Sequence, residues 1–246
     1  MKEMKCEYCG TPMERREINI LGTVLESFVM KCDCWKKEKE RREREDRKRE
    51  VRDAIQALVQ NSGVGKRYAK AEFKSFRQID KNADMFLVCV RFLKTFSQNK
   101  AGKGLFLYGG LGCGKTHLAV SLAKGLLRKG YTVDFYKMPR LFDEYKATFS
   151  YRSEEDTETF LKGLERVDLL ILDDLGVDKF TPEFNLFLYK ILDARYNNMK
   201  PVVITSNIPF DKIESVIERR TADRLRAMCK AVENKAGSYR QVEAKE

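Results

Sequence analysis

Apolar positions fall on either side of Gly22 in residues 17–30 (Ile18, Ile20, Leu21, then Val24, Leu25, Phe28), which predicts two short strands around a turn. Residues 36–53 then lose almost every apolar position. Ten Lys or Arg are interleaved with seven Asp or Glu, a composition that favours helix and sets opposite charges three and four positions apart. No apolar stripe develops before Val51, so a solvated helical spacer is expected rather than a long coiled coil. Residues 54–59 (Ala-Ile-Gln-Ala-Leu-Val) give that spacer an apolar end able to dock on a core. From Ala54 onward, apolar segments alternate in strand and helix lengths. Residues 105–108, 131–137, 167–174 and 201–207 read as strands, and 117–123 and 219–226 as helices. No internal repeat is visible. The pattern predicts a small N-terminal module over residues 1–35, a charged helical linker over 36–62 and an α/β domain over 63–246.

Composition narrows the chemistry. Across 246 residues the chain is 43% hydrophobic, enough for a packed core, with a formal charge of +11. A sequence pI near 9.2 points to a polyanionic partner such as nucleic acid, with a merely basic surface as the alternative. No run approaches the ~18 apolar residues of a membrane span, and Met1-Lys2-Glu3-Met4-Lys5 has no apolar signal core. A cytoplasmic protein without a membrane partner is expected. In a reducing compartment paired cysteines read as metal ligands rather than disulfides.

Residues 109–116 fit the pattern G-x-x-x-x-G-K-[ST] at every fixed position: Gly109, Gly110, Leu111, Gly112, Cys113, Gly114, Lys115, Thr116. Glycines let backbone N–H groups close around phosphate oxygens where a Cβ would clash. Lys115 is placed to reach the β/γ-phosphates and the Thr116 hydroxyl to complete a Mg²⁺ shell. The strand before and the helix beginning at His117 after it put a helix N-terminus against the phosphates. His117, the sole histidine, opens that helix as a further candidate nucleotide-binding residue and needs no catalytic role. The pattern predicts a nucleoside triphosphate ligand.

Residues 167–174 end in Asp173 and Asp174, the form of a Walker B strand. Asp173 is expected to hold Mg²⁺ through its water shell, and Asp174 to polarise an attacking water. The latter is one methylene shorter than the usual Glu, which suits a slow switch better than a fast motor. Asn207 closes the strand over residues 201–207 and is placed to hold water or sense the γ-phosphate. Of the guanidiniums in 219–226, Arg220 and Arg224 are the candidates for neutralising a transferring phosphoryl group, in cis or from a neighbouring subunit. At the other end of the chain, Cys6-x-x-Cys9 and Cys32-x-Cys34 each offer one edge of a tetrahedral Zn²⁺ site. A module of about thirty-five residues cannot hold itself together by burial alone, so a metal staple makes physical sense. Four unrelated thiols or a redox pair are the alternatives.

The ordered set of P-loop, Asp173-Asp174, Thr205-Ser206-Asn207, the Arg-Asp-Arg helix and Ser238-Tyr239-Arg240 resembles the AAA+ ATPases of the DnaC/DnaI helicase-loader and IstB group, over roughly residues 63–242. Residues 66–73 resemble the segment that opens the ATPase domain there. The resemblance implies an AAA+ P-loop NTPase with a five-stranded parallel sheet flanked by helices. It implies Asn207 as sensor 1, Arg220 or Arg224 as an arginine finger acting across a subunit boundary, and Arg240 as a sensor-2-like contact to ATP. By that likeness the chain is an ATPase that loads a hexameric replicative DNA helicase onto single-stranded DNA, assembling into an oligomer with ATP. An IstB-like helper that binds duplex DNA and recruits a transposase is the alternative. The cysteine module looks more like loaders in which such a module touches the helicase. In loaders the region around residues 140–152 resembles a helical element that tracks single-stranded DNA. Lys146, Phe149, Tyr151 and Arg152 are candidate contacts by stacking and charge, while Leu141, Phe142 and Tyr145 read as core.

Overall fold

A computed structural model describes residues 4–20, 23–149, 156–176 and 180–239. It divides into two compact units, Met1–Asp53 and Ala54–Glu246.

In the first unit, β1 (Glu14–Ile20) and β2 (Thr23–Val29) form an antiparallel hairpin in which Ile18 faces Leu25 and Glu17 faces Glu26. The turn expected at Gly22 lies outside the described residues. Ahead of the hairpin the chain folds into a tight knuckle. The Gly10 N–H donates to the Cys6 carbonyl and the Cys6 N–H to that of Thr11, each at 2.9 Å. Gly10 sits at φ +70°, where a Cβ is strained. After β2, α1 (Cys34–Asn61) is one continuous helix of 28 residues, so the last cysteine of the module is also the first helical residue. Its charged stretch is laced as the spacing predicts: Arg41 and Arg42 both reach Glu38, at 2.8 and 2.9 Å, and Arg49 reaches Asp46 at 3.0 Å. Such exposed pairs contribute only about 0.3–0.5 kcal/mol each.

In the second unit the elements follow in the order α2 (Asp80–Thr95), β3 (Gly104–Gly109), α3 (Lys115–Arg128), β4 (Val133–Lys137), α4 (Met138–Ala147), α5 (Thr157–Arg166), β5 (Leu169–Leu175), α6 (Pro182–Asn197), β6 (Val202–Ser206), α7 (Arg219–Met228) and β7 (Cys229–Asn234). The five strands make one parallel sheet in the order β4-β5-β6-β3-β7. Being buried on both faces, its central strands are continuous apolar runs whose alternate residues serve opposite cores. Phe106, Leu170, Leu172, Val202 and Ile204 pack with α4, α5, α6 and α7. Leu105, Leu107, Leu169, Ile171 and Val203 pack with α2 and α3.

The strand order positions the site. After β3 the chain crosses through α3 to the far edge at β4, and after β6 it crosses through α7, on the other face, to β7. Adjacent strands β3 and β6 therefore send their connections to opposite faces, which opens a crevice at their C-terminal ends. The P-loop follows one of those ends and Asn207 the other.

Candidate functional site

Gly114 sits at φ +99° as the N-cap of α3, and a Cβ there would strike the ring of Phe76. This conformation turns the chain so that Lys115 and Thr116 open the helix facing the crevice. The Lys115 Nζ donates to the carbonyls of Gly109 (3.0 Å) and Gly110 (2.8 Å) and to Asn207 Oδ1 (2.8 Å). One ammonium thus joins the P-loop to the end of β6. The Thr116 hydroxyl donates to Asp173 Oδ1 at 2.9 Å, and the Thr205 hydroxyl donates to the same oxygen at 2.6 Å. Asp173 is fully buried; desolvation, then the neighbouring Asp174 charge, push its pKa up to about 6, against the opposing pull of the two hydroxyls. Two hard oxygen donors, the Thr116 hydroxyl and the Asp173 carboxylate, therefore sit side by side, the donor chemistry that suits a divalent magnesium ion.

Asp174 does not continue the strand. Its φ is +63°, and the pairing of β5 with β6 shifts register between Leu172 and Leu175. This bulge turns consecutive carboxylates apart. The Asp174 N–H donates to Thr205 Oγ1 at 2.9 Å, and its carboxylate faces Lys137 Nζ at 3.6 Å across the end of β4. Thr205 thus accepts from one aspartate's backbone and donates to the other's side chain. In the sequence Thr205 stands out only as part of Thr205-Ser206-Asn207, without a role of its own, and Lys137 only as the end of a strand; the polar Thr205 inside an apolar strand was the available signal.

Of these groups Lys115, Thr116, Asp174 and Asn207 border a cavity of about 390 Å³ that extends from the P-loop to a second wall formed by Arg67, Tyr68, Phe76, Arg77 and Tyr239. The second wall is fastened to the first. The Tyr239 N–H donates to the Gly112 carbonyl (3.1 Å), its hydroxyl donates to the Arg77 carbonyl (2.8 Å), and Asn82 meets that hydroxyl. The Asn234 side chain donates to the Cys113 carbonyl at 2.8 Å. His117 lines the cavity, with Nε2 2.9 Å from the Glu72 carbonyl, an atom that only accepts, so the ring donates from Nε2. Leu111 stands at the lip, 69% exposed. Behind the wall lies Lys124 on α3, 1% exposed, whose ammonium donates to the carbonyls of Tyr68 (3.1 Å), Ala69 (2.7 Å) and Ala71 (3.0 Å). Burial pulls its pKa down. Arg128, one turn further along α3, donates to Glu72 at 2.6 Å.

The residues 34–246 match the family described as IstB-like ATP binding protein. The chain belongs to that family. Among relatives, the replicative helicase loader DnaC of Buchnera aphidicola is 26% identical over 174 residues, 70% of each chain. A crystal structure of the DnaC helicase loader superposes with a TM-score of 0.62 at 26% identity, over 70% of this chain and 100% of that one. A crystal structure of DnaI superposes with a TM-score of 0.63 at 23% identity, over 75% of this chain and 98% of that one, a likeness of fold. The five-stranded parallel sheet and P-loop are those of an AAA+ protein, and this IstB-family chain binds ATP as an ATPase domain.

Other predicted site residues lie elsewhere on the fold. Arg220 and Arg224 both project from α7, outside the cavity lining. Arg220 is exposed. Arg224 is engaged within the chain, its Nε 2.6 Å from Asp193 on α6 and its guanidinium 5.0 Å from the centre of the Tyr196 ring. In α4, Leu141 is fully buried, Phe142 packs on Phe184 and Tyr145 stacks on Phe187. Lys146 lies over the Phe142 ring at 3.9 Å, and Phe149 is 60% exposed. Tyr151, Arg152 and Arg240 lie outside the described residues.

The family match begins at Cys34, so Cys6, Cys9 and Cys32 precede it. The sulfurs of Cys6, Cys9, Cys32 and Cys34 all lie within 4.8 Å of one another. A zinc–thiolate bond of about 2.3 Å sets sulfurs about 3.8 Å apart in a tetrahedron, so the knuckle and the start of α1 bring together a set of the right size and chemistry. The thiols share their protons unequally. Hydrogen bonds from Thr11 hold Cys9 down at about 6, and the contact with Cys9 pushes Cys34 up to about 12.

Proposed function

We propose that this IstB-family ATPase loads a replicative DNA helicase onto single-stranded DNA, with ATP binding as the signal for assembly along the strand. The observation that carries this reading is the pairing of a complete nucleotide constellation, resembling that of the DnaC loaders, with a cysteine module outside the family match. Lys115 binds the β/γ-phosphates, Thr116 and Asp173 hold Mg²⁺, Asp174 orients the attacking water and Asn207 senses the γ-phosphate. Mg²⁺, when bound, neutralises charge on the phosphate oxygens. Asp174, short for its role and held by Lys137, makes hydrolysis slow and switch-like. Arg220, exposed and without an ion pair among the described residues, completes a neighbour's site, and Arg240 contacts ATP. Lys146 and Phe149, with Tyr151 and Arg152, follow the DNA strand. Residues 1–35, closed by Zn²⁺ on Cys6, Cys9, Cys32 and Cys34, grip the helicase. The charged linker 36–62 spaces that module from the ATPase domain 63–246, and the whole assembly works in the cytoplasm.

Capture of the tagged full-length chain from host lysate with ATP, followed by mass spectrometry, tests this. A hexameric replicative helicase is the expected main partner, lost with Cys9→Ser/Cys32→Ser, which removes half of the thiolate set. A transposase instead, together with preference for duplex over single-stranded DNA, moves the protein to transposition.

The base end of ATP is placed against Tyr68, Phe76 and Tyr239, and Lys124 holds that wall in position. Lys124→Met takes the ammonium from the Ala69 and Ala71 carbonyls and from that of Tyr68, which keeps the Ala71 N–H, so a loss of about 2–4 kcal/mol of stability is expected. ATP affinity is expected to fall about tenfold, about 1.4 kcal/mol, while inorganic tripolyphosphate binding stays within about twofold. Tripolyphosphate reads only the loop. Equal losses for both ligands in calorimetric titrations refute the wall's separate role.

A further inference from the structure

A second hollow, about 370 Å³, lies beyond the N-terminal end of β3. From Gly104 beside it to Gly109 at the P-loop is five strand steps, about 17 Å, so it is distinct from the nucleotide cavity. Its apolar side is Val88 and Phe92 from α2 and Leu105 from β3. Its charged side is Arg91, Lys103 and Lys230, the last on β7, an edge strand of the sheet. Among the described residues no carboxylate lines it. The reason lies in the sequence: from Met85 to Val133 the chain has no Asp or Glu and eight Lys or Arg. Nearby acids are spent elsewhere. Glu233 on β7 faces Lys235, and Asp223 and Glu214 face Arg226. Lys103 donates to the Ala227 carbonyl, while Arg91 and Lys230 are exposed and face no carboxylate among the described residues.

An apolar floor rimmed by cations, with the local carboxylates removed, matches a ligand that brings both a large apolar side chain and negative charge. We infer that this trench docks an acidic segment of a partner protein, its aromatic or aliphatic residue seated on Val88, Phe92 and Leu105 and its carboxylates against Arg91 and Lys230. Nucleic acid satisfies the charge, and a base can stack on Phe92, but the aliphatic Val88 and Leu105 beside it extend no stacking platform and suit an apolar side chain better. The surface is separate from the ATP site, so docking there leaves nucleotide binding in place.

The test pans a random-peptide phage library against the ATP-bound full chain, with counter-selection on Arg91→Glu/Lys230→Glu. Both substitutions are on exposed side chains, and unchanged ATP affinity certifies the fold. Recovered peptides are expected to be rich in Asp and Glu around one large apolar residue. A synthetic copy is expected to bind the double variant at least tenfold more weakly and to weaken as NaCl rises. Peptides without acidic bias, or equal binding to the variant, overturn the inference. So does an oligo(dT) competitor that displaces the peptide and shows the same sensitivity to the variant, which reassigns the surface to single-stranded DNA.

Discussion

Lys115→Ala is expected to abolish measurable ATP binding while leaving the fold in place. The ammonium is held by the Gly109 and Gly110 carbonyls and by Asn207 Oδ1. Lys115 and Asn207 line the cavity, so water reaches the place of the lost donor and the melting temperature shifts little. The phosphates have no such substitute. Charge-assisted hydrogen bonds contribute about 1.5–3 kcal/mol each, and two of them lost correspond to a rise in Kd of about 10²–10⁴-fold. Isothermal titration with ATP decides it: a variant that retains wild-type affinity sinks the assignment of residues 109–116 as the phosphate site. The contrast with Lys124→Met separates the two buried lysines of α3. On the proposed reading Lys115 meets phosphate directly, whereas Lys124 holds the wall opposite.

What could be read from the chain follows from where each constraint is written. The P-loop and the Asp173 strand were legible because phosphate and metal chemistry demand particular residue types within a few consecutive positions. The four cysteines were legible for the same reason. The second wall of the cavity was not: Tyr68 and Tyr239 lie in segments that carry the resemblance, but Tyr68, Phe76 and Tyr239 come from separated stretches and nothing local says that they meet. Lys124 reads as a surface charge on an amphipathic helix; only the packing of residues 66–71 onto α3 buries it. The fifth strand, β7, escaped notice because Lys230, Ala231 and Glu233 face solvent at the sheet edge and break the apolar run that marked β3, β5 and β6. Nor does composition announce the bulge at Asp174, which arises from a positive φ and a shifted register. The charged linker illustrates the reverse case, where local propensity and i,i+4 charge pairs suffice to specify residues 36–50 of α1 without burial, Leu58 being the helix's buried residue.

Arg220 and Arg224 could not be separated in sequence, because they share one charged helix four positions apart. Their surroundings on the fold separate them. Arg224 is tied to Asp193 and stacked on Tyr196, both from α6, so Arg224→Ala loses an intramolecular ion pair of about 0–1 kcal/mol and a cation–π contact of about 0.5–1 kcal/mol. A melting temperature lower by a few degrees with near-normal hydrolysis is its expected signature. Arg220→Ala is expected to change neither stability nor ATP affinity, yet to slow hydrolysis by the assembled protein by roughly 10³-fold or more, the scale of an arginine finger. Mixing supplies the decisive measurement. A subunit carrying Lys115→Ala binds no ATP but still presents Arg220, while a subunit carrying Arg220→Ala binds ATP but lacks the finger. Neither hydrolyses alone; together, in the presence of DNA, they are expected to recover part of the wild-type rate, because an intact Arg220 then faces a loaded site. Absence of recovery, or full turnover by Arg220→Ala alone, removes Arg220 from the reaction and leaves α7 a structural helix.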